Sequence, residues 1–237
     1  MMRTMVLAAL LPLVACGNNG DDGKSGNAPN GTGSSRSYDV RDFDAVRLAG
    51  SDDVDVRVGG AFSIRAEGDP KILDKLKISK NGRQLTISRS WSSGDGDARI
   101  HVTAPALTAA ALDGSGDLRV DQVRGASFDA RLTGSGDLTL AQVAVDRLRL
   151  SIVGSGGLAA RGEARQLAID ATGSGDVAAA QLIARTAHVQ SAGSGDIRVT
   201  VRGDATVSAS GSGDVDLGAE ARCTVRKAGS GDVRCGG

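Results

Sequence analysis

The sequence predicts an all-β fold, a parallel β-helix or β-solenoid with rungs of about 18–20 residues, Gly-Ser-Gly-Asp corners and a less regular N-terminal β cap. Three observations predict it. The tetrapeptide Gly-Ser-Gly-Asp, or a one-letter variant, begins at Gly114, Gly134, Gly154, Gly173, Gly193, Gly211 and Gly229, giving spacings of 20, 20, 19, 20, 18 and 18 residues. Apolar residues alternate with polar ones around each copy, as in Phe128, Ala130 and Leu132 before Gly134 and Leu138 and Leu140 after it. Period two means strands with one buried face. Finally, apolar residues make up 40% of the chain but aromatics only 2%, so thin aliphatic layers stacked on their neighbours fit better than a thick core of large rings.

From the N-terminus, residues 1–15 read as a lipoprotein signal peptide: Arg3, an apolar stretch from Met5 to Val14, and a lipobox ending Leu13-Val14-Ala15-Cys16. The apolar stretch is too short for a stop-transfer helix. Cys16 is the expected lipidation site and membrane anchor. Gly17, rather than Asp, follows it and favours the outer membrane by analogy with Gram-negative sorting. Residues 16–37 form a flexible Gly/Asn/Ser-rich tether, because so polar a segment buries too little surface to offset its ordering entropy.

Residues 38–237 form the solenoid domain, with an irregular N-terminal part over 38–92 and regular repeats over 93–237. Within the irregular part, Asp69 and Pro70 open one short helix, and Asn81-Gly82 turns a hairpin. Weaker copies of the corner occur at Gly94-Asp95-Gly96-Asp97 and Gly50-Ser51-Asp52-Asp53. At the far end Cys223 and Cys235 share inward parity and bracket the last repeat. In the oxidising compartment that an export signal implies, a disulfide is expected.

Parity places both glycines of each corner on the inward side: Gly114 and Gly116, Gly134 and Gly136, Gly154 and Gly156, Gly173 and Gly175, Gly193 and Gly195, Gly211 and Gly213, Gly229 and Gly231. A bend would drive inward side chains into collision, and glycine has none. Ser and Asp point outward, where they are expected to bond nearby turn amides. Stacked corners align Asp117, Asp137, Asp176, Asp196, Asp214 and Asp232 in a row, with Gly157 interrupting it. The arginines Arg119, Arg198 and Arg234 are expected to moderate the row's repulsion.

The segments "FDAVRLAGSDDVDVRVGG" and "PKILDKLKISKNGRQLTISRS", followed by the serial Gly-Ser-Gly-Asp units, resemble the "putative auto-transporter adhesin, head GIN domain" family over roughly residues 43–233. The resemblance implies an exported or lipid-anchored bacterial β-helical domain with an adhesive role. It supplies no catalytic residues.

Net charge is zero, with 28 basic and 28 acidic residues, and no basic block neutralises phosphates, which argues against nucleic acid. His101 and His188 are far apart, and general acid–base chemistry leans on histidine. No catalytic residue, metal ligand or cofactor is assigned. The reading is therefore a non-enzymatic, lipid-anchored cell-envelope protein, adhesin-like or structural, facing the periplasm or the exterior. Its partners are the membrane, through Cys16, and an envelope or extracellular protein or glycan. A calcium-binding structural envelope module is the alternative, since Gly- and Asp-rich β-rolls bind that ion. A polysaccharide-processing β-helix enzyme ranks last, because its groove would need clustered carboxylates and aromatic platforms.

Overall fold

A computed structural model describes residues 27–90 and 96–236. The signal peptide, the Cys16 anchor and the Gly94 start of the weak corner copy lie outside the described residues. Of the described residues 68% are strand and 2% helix, forming a β-solenoid of about 6 turns. Strands β1 (Ser35–Tyr38), β2 (Ala45–Gly50), β3 (Asp53–Val58) and β4 (Ser63–Glu67) precede helix α1 (Pro70–Leu73). Next come β5 (Leu76–Asn81), β6 (Gln84–Arg89), β7 (Arg99–Ala104), β8 (Ala109–Gly114), β9 (Leu118–Val120) and β10 (Val123–Gly134). The long strands β11 (Asp137–Gly154), β12 (Gly157–Gly173) and β13 (Asp176–Gly193) each wrap around the axis. β14 (Ile197–Val201), β15 (Asp204–Gly211), β16 (Val215–Asp216), β17 (Arg222–Gly229) and β18 (Val233–Arg234) complete the chain.

Each regular rung has three sides. Residues 127–134 of β10 form the first face, 137–140 of β11 the second, and 143–145 of β11 a short third, all in parallel register with the rungs on either side. Glycine corners join the first face to the second. Inward columns run along the axis. One holds Leu48, Leu112, Leu132, Ile152, Ala171, Ser191, Ala209 and Lys227. Another holds Phe128, Leu148, Leu167, Ala187, Ala205 and Cys223. Both shrink as far as Ala209 and Ala205 before ending in Lys227 and Cys223. The column between them keeps branched side chains to the end, in Leu150, Ile169, Val189, Val207 and Val225, so the interior tapers on two of these three columns. The 18-residue spacing begins between the second and third sides. Val199 and Thr200 are consecutive but pair with Ala179 and Ile183, so three positions are skipped there and one is regained before Ala205, a net loss of two.

The N-terminal rungs are not stacked in sequence order. β2 lies between β6 and β8, and β3 between β7 and β9, all parallel. Residues 45–58 thus belong to the stack itself rather than to the irregular cap expected over 38–92. The rung neighbouring Gly114 is that of Gly50, not the nearer copy in sequence. The cap consists of β5, antiparallel to β6, and β4, antiparallel to β7, with β1 outermost on β4. Asp69 caps α1 by accepting from the Lys71 N–H at 2.8 Å. The β5–β6 hairpin turns at Gly82 and Arg83, one residue beyond the expected Asn81-Gly82.

The tether ends earlier than the expected boundary at 37. The Asn27 N–H donates to the Ile78 carbonyl at 2.7 Å, and Asn30 exchanges bonds with Ser37. Arg36 is buried, donating to Asp74 at 2.7 Å. The cause is an edge: β4 has unpaired backbone groups on one side, and β1 satisfies them.

Candidate functional site

The corner glycines are required along the axis rather than inside the bend. A Cβ on Gly134 would lie 2.2 Å from the Gly114 carbonyl oxygen, and one on Gly136 would lie 2.0 Å from that of Gly116. Gly154, Gly156, Gly173, Gly175, Gly193, Gly195, Gly211, Gly213, Gly229 and Gly231 each meet the equivalent oxygen of the preceding rung in the same way. Gly114 and Gly116 meet those of Gly50 and Asp52. This replaces the expected inward collision. That oxygen is held close because it accepts two bonds: Ser135 and Gly136 N–H donate to Gly114 at 3.0 and 3.2 Å. The first glycine also has positive φ, +125° at Gly134.

The aspartates act across rungs too. The Asp137 N–H donates to an Asp117 carboxylate oxygen at 3.3 Å, and Gly157 N–H to that of Asp137 at 2.9 Å. Beyond Gly157 the ladder restarts: Asp196, Asp214 and Asp232 N–H groups donate to Asp176, Asp196 and Asp214 at 2.8, 3.0 and 2.8 Å. A Cβ at 157 would lie 2.7 Å from the Asp137 oxygen, the movable end of a side chain, and the other rungs of the row carry a Cβ at this place with the same bond. The expected bonds to local turn amides are thus bonds to the next rung. Each backbone N–H placed against a carboxylate offsets part of the row's repulsion. Of the anticipated pairs, Arg198 meets Asp196 at 2.8 Å. Asp232 lies 3.8 Å from Lys227 instead. Among the described residues, no group of three or more His, Cys, Asp or Glu side chains is placed to hold a metal ion. His101 lies 3.7 Å from Asp55 on the second face, and His188 is on the first, beside Gln190.

Residues 42–221 match the family described as "Putative auto-transporter adhesin, head GIN domain". The chain belongs to this family. No curated protein matches the chain. Among solved structures, a "putative adhesin" of Bacteroides fragilis is 20% identical with a TM-score of 0.79, covering 85% of this chain and 95% of its own. A "putative adhesin" of Parabacteroides distasonis is 17% identical with a TM-score of 0.68, covering 88% and 97%. A "putative lipid binding protein" of the same organism is 20% identical with a TM-score of 0.64, covering 87% and 98%. At these identities the likeness is one of fold.

Two features of this head GIN domain lie outside the repeat. Cys223 and Cys235 are bonded, with Cα atoms 6.1 Å apart, and close the last rung. Asp52 occupies the place of the second corner glycine and is 0% exposed. Its carboxylate accepts from the Ala98 N–H at 2.9 Å and lies 3.4 Å from Arg89. Burial pushes its pKa up; the Ala98 bond and then Arg89 pull it down less strongly. The signal was present in the sequence, since Gly50-Ser51-Asp52-Asp53 puts a carboxylate at an inward position.

Proposed function

We propose that the chain is a non-enzymatic, adhesin-like domain of the bacterial cell envelope, anchored through acylated Cys16. Its first face meets a protein or glycan. The pattern of that face carries the reading. Ala109 and Ala111 form the floor of a shallow groove of about 730 Å³, ringed by Arg47, Asp113, Asp129, Arg131 and Arg149. Pairs Arg47–Asp113 and Arg149–Asp170, both at 2.6 Å, fix two of its walls. Asp129 and Arg131 carry no ion pair among the described residues. Their backbones sit in a ladder bonded on both sides, so the points from which the two side chains project are set before a partner arrives. Charges of both signs beside small apolar side chains suit the hydroxyl, carboxylate and amide groups of an extended glycan or peptide.

The anchor rests on the lipobox, and Gly17 after it favours the outer membrane. One structural relative is described as lipid-binding. In this chain contact with lipid is assigned to the acyl group, because Phe128, Leu148 and Leu167 fill the interior.

Cys16→Ser should abolish acyl labelling and release the protein from the membrane fraction. Separately, beads carrying the protein should adhere to isolated envelope or to extracellular polysaccharide. Asp129→Lys with Arg131→Glu should reduce their retention. Retention unchanged by that swap would overturn the assignment of the face, and unchanged acyl labelling that of the anchor.

A further inference from the structure

The turn from the third side of each rung back to the first face carries a second surface. Ala164 pairs with Ala184 and Gln166 with Thr186, which sets Arg165 beside Arg185 on neighbouring rungs. The next rung holds one residue more. Between the pairs Ala184–Val201 and Ala187–Ala205, the three residues Arg202, Gly203 and Asp204 stand against Arg185 and Thr186. Glycine suits this irregularity, since a Cβ on Gly203 would lie 2.3 Å from the Arg185 carbonyl oxygen. An extra residue in a strand re-aims a side chain. Arg202 here lines the same open groove of about 690 Å³ as Arg165 and Arg185, beside Ala164 and Ile183.

Guanidiniums on successive rungs, which lie about 4.8 Å apart, repel one another. The outer two are offset: Arg165 lies 3.1 Å from Asp146 and Arg202 lies 3.3 Å from Glu220, each acid one rung farther out. Arg185, between them, is exposed and makes no ion pair among the described residues. Glu163, the other acid of the groove, also makes none there.

We propose that this groove binds an acidic polysaccharide, one uronate carboxylate of which seats on Arg185. A planar guanidinium pairs with a carboxylate through two parallel hydrogen bonds. The spacing of charge selects the partner. Asp146, Glu163 and Glu220 bracket Arg185, so a chain with an anionic group at every step, such as nucleic acid or an acidic peptide, meets repulsion on either side. A polysaccharide with a carboxylate on only every second ring avoids it. Its hydroxyls can donate to Asp146 and Glu163, and the C–H face of a ring can lie on Ala164 and Ile183. The site is separate from the first-face groove and does not rest on that assignment.

The test is fluorescence anisotropy of an end-labelled hyaluronan decasaccharide, which carries a carboxylate on every second ring, titrated with the full chain bearing Cys16→Ser. At about 50 mM salt, where screening is weak, the protein should bind it and should not bind its neutral, carboxyl-reduced form. Arg185→Glu should weaken binding about tenfold, and Arg185→Gln by up to about fivefold, the range of one exposed ion pair. Arg57→Glu, the same charge change on β3, should leave binding unchanged, as should the first-face swap of Asp129→Lys with Arg131→Glu. Coincident melting curves establish that the variants fold, and Arg185→Gln carries the test if Arg185→Glu melts early. The proposal is overturned if hyaluronan does not bind, if the neutral form binds equally, or if the Arg185 variants bind as the unaltered protein does. It is overturned equally if Arg57→Glu weakens binding as much as Arg185→Glu, if only the first-face swap abolishes it, or if single-stranded DNA or polyglutamate binds more tightly through Arg185.

Discussion

Replacing Gly136 by alanine isolates one of the two constraints on the corner. A Cβ at 136 would sit 2.0 Å from the Gly116 oxygen, against an ordinary contact of 3.4 Å or more. The obstacle is backbone, so it cannot rotate away; the rungs must part by more than an ångström. Parting them weakens the Ser135 and Gly136 bonds to Gly114 and the Asp137 bond to Asp117. At about 1 kcal/mol net for each, the loss is on the order of 3 kcal/mol. Gly125 isolates the other constraint, because its φ is +136° but nothing lies within 4 Å of its Cβ direction. Alanine there costs only the backbone strain, roughly 1–3 kcal/mol. Gly134 combines both, with φ +125° and an oxygen at 2.2 Å. Its alanine variant should therefore lose about the sum of the other two. Urea unfolding followed by circular dichroism measures all three. The axial account fails if Gly136→Ala unfolds within ~0.5 kcal/mol of the unaltered protein, the range of ordinary surface substitutions. It fails equally if Gly134→Ala is no worse than Gly125→Ala.

Asp137→Ala should cost about 1 kcal/mol, the bond to Gly157 N–H, and Asp137→Asn less, because the amide oxygen still accepts. Melts of both should coincide with calcium and with chelator; protection by calcium that Asp137→Asn abolishes would favour the calcium-binding module. Replacing Cys223 and Cys235 together by serine should cost about 3 kcal/mol in the chain-entropy model, read as a lower urea midpoint; an unchanged midpoint would show that the bridge does not constrain the last rung. Asp52 has a folded pKa raised above its ordinary 3.8, so the folded state binds the extra proton. Its contribution is greatest below the ordinary value and is lost as pH rises through the raised one. Asp52→Asn should flatten that segment of the stability–pH curve, and an identical slope in the variant would refute it.

Much of this fold was legible because its period is written in residues with no substitute. Two glycines per corner, spaced 18–20 residues apart, announce the rung length, and the alternation around Phe128 or Leu148 announces the buried face. The direction of the glycine constraint was not legible. A collision inside the bend and one between rungs both demand the absence of a Cβ, and only the position of the Gly114 oxygen separates them. The stacking order of the N-terminal rungs escaped for a similar reason. Linear spacing ranks Gly94 as the neighbour of Gly114, but β6 and β7 lie on the far side of β2 and β3. Pairing between parallel strands distant in sequence leaves no local signature. Arg36 was lost in the tether for lack of apolar neighbours, although its partner Asp74 lies on the cap.

The tapering interior changes what holds successive rungs together. A rung stabilised by Leu132 and Phe128 buries more apolar surface than one built on Ala209 and Ala205, at roughly 25 cal/mol per Å². Later rungs must therefore rely more on hydrogen bonds between corners and on the Cys223–Cys235 bridge. The aspartate ladder serves large-cored and small-cored rungs alike: it joins Asp117, Asp137 and Gly157 beside rungs built on Phe128 and Leu148, and Asp176, Asp196, Asp214 and Asp232 where Ala187 and Ala205 take their place. Each step is the same contact of a backbone N–H with the carboxylate one rung away, as expected of an architectural element that repeats with the corner.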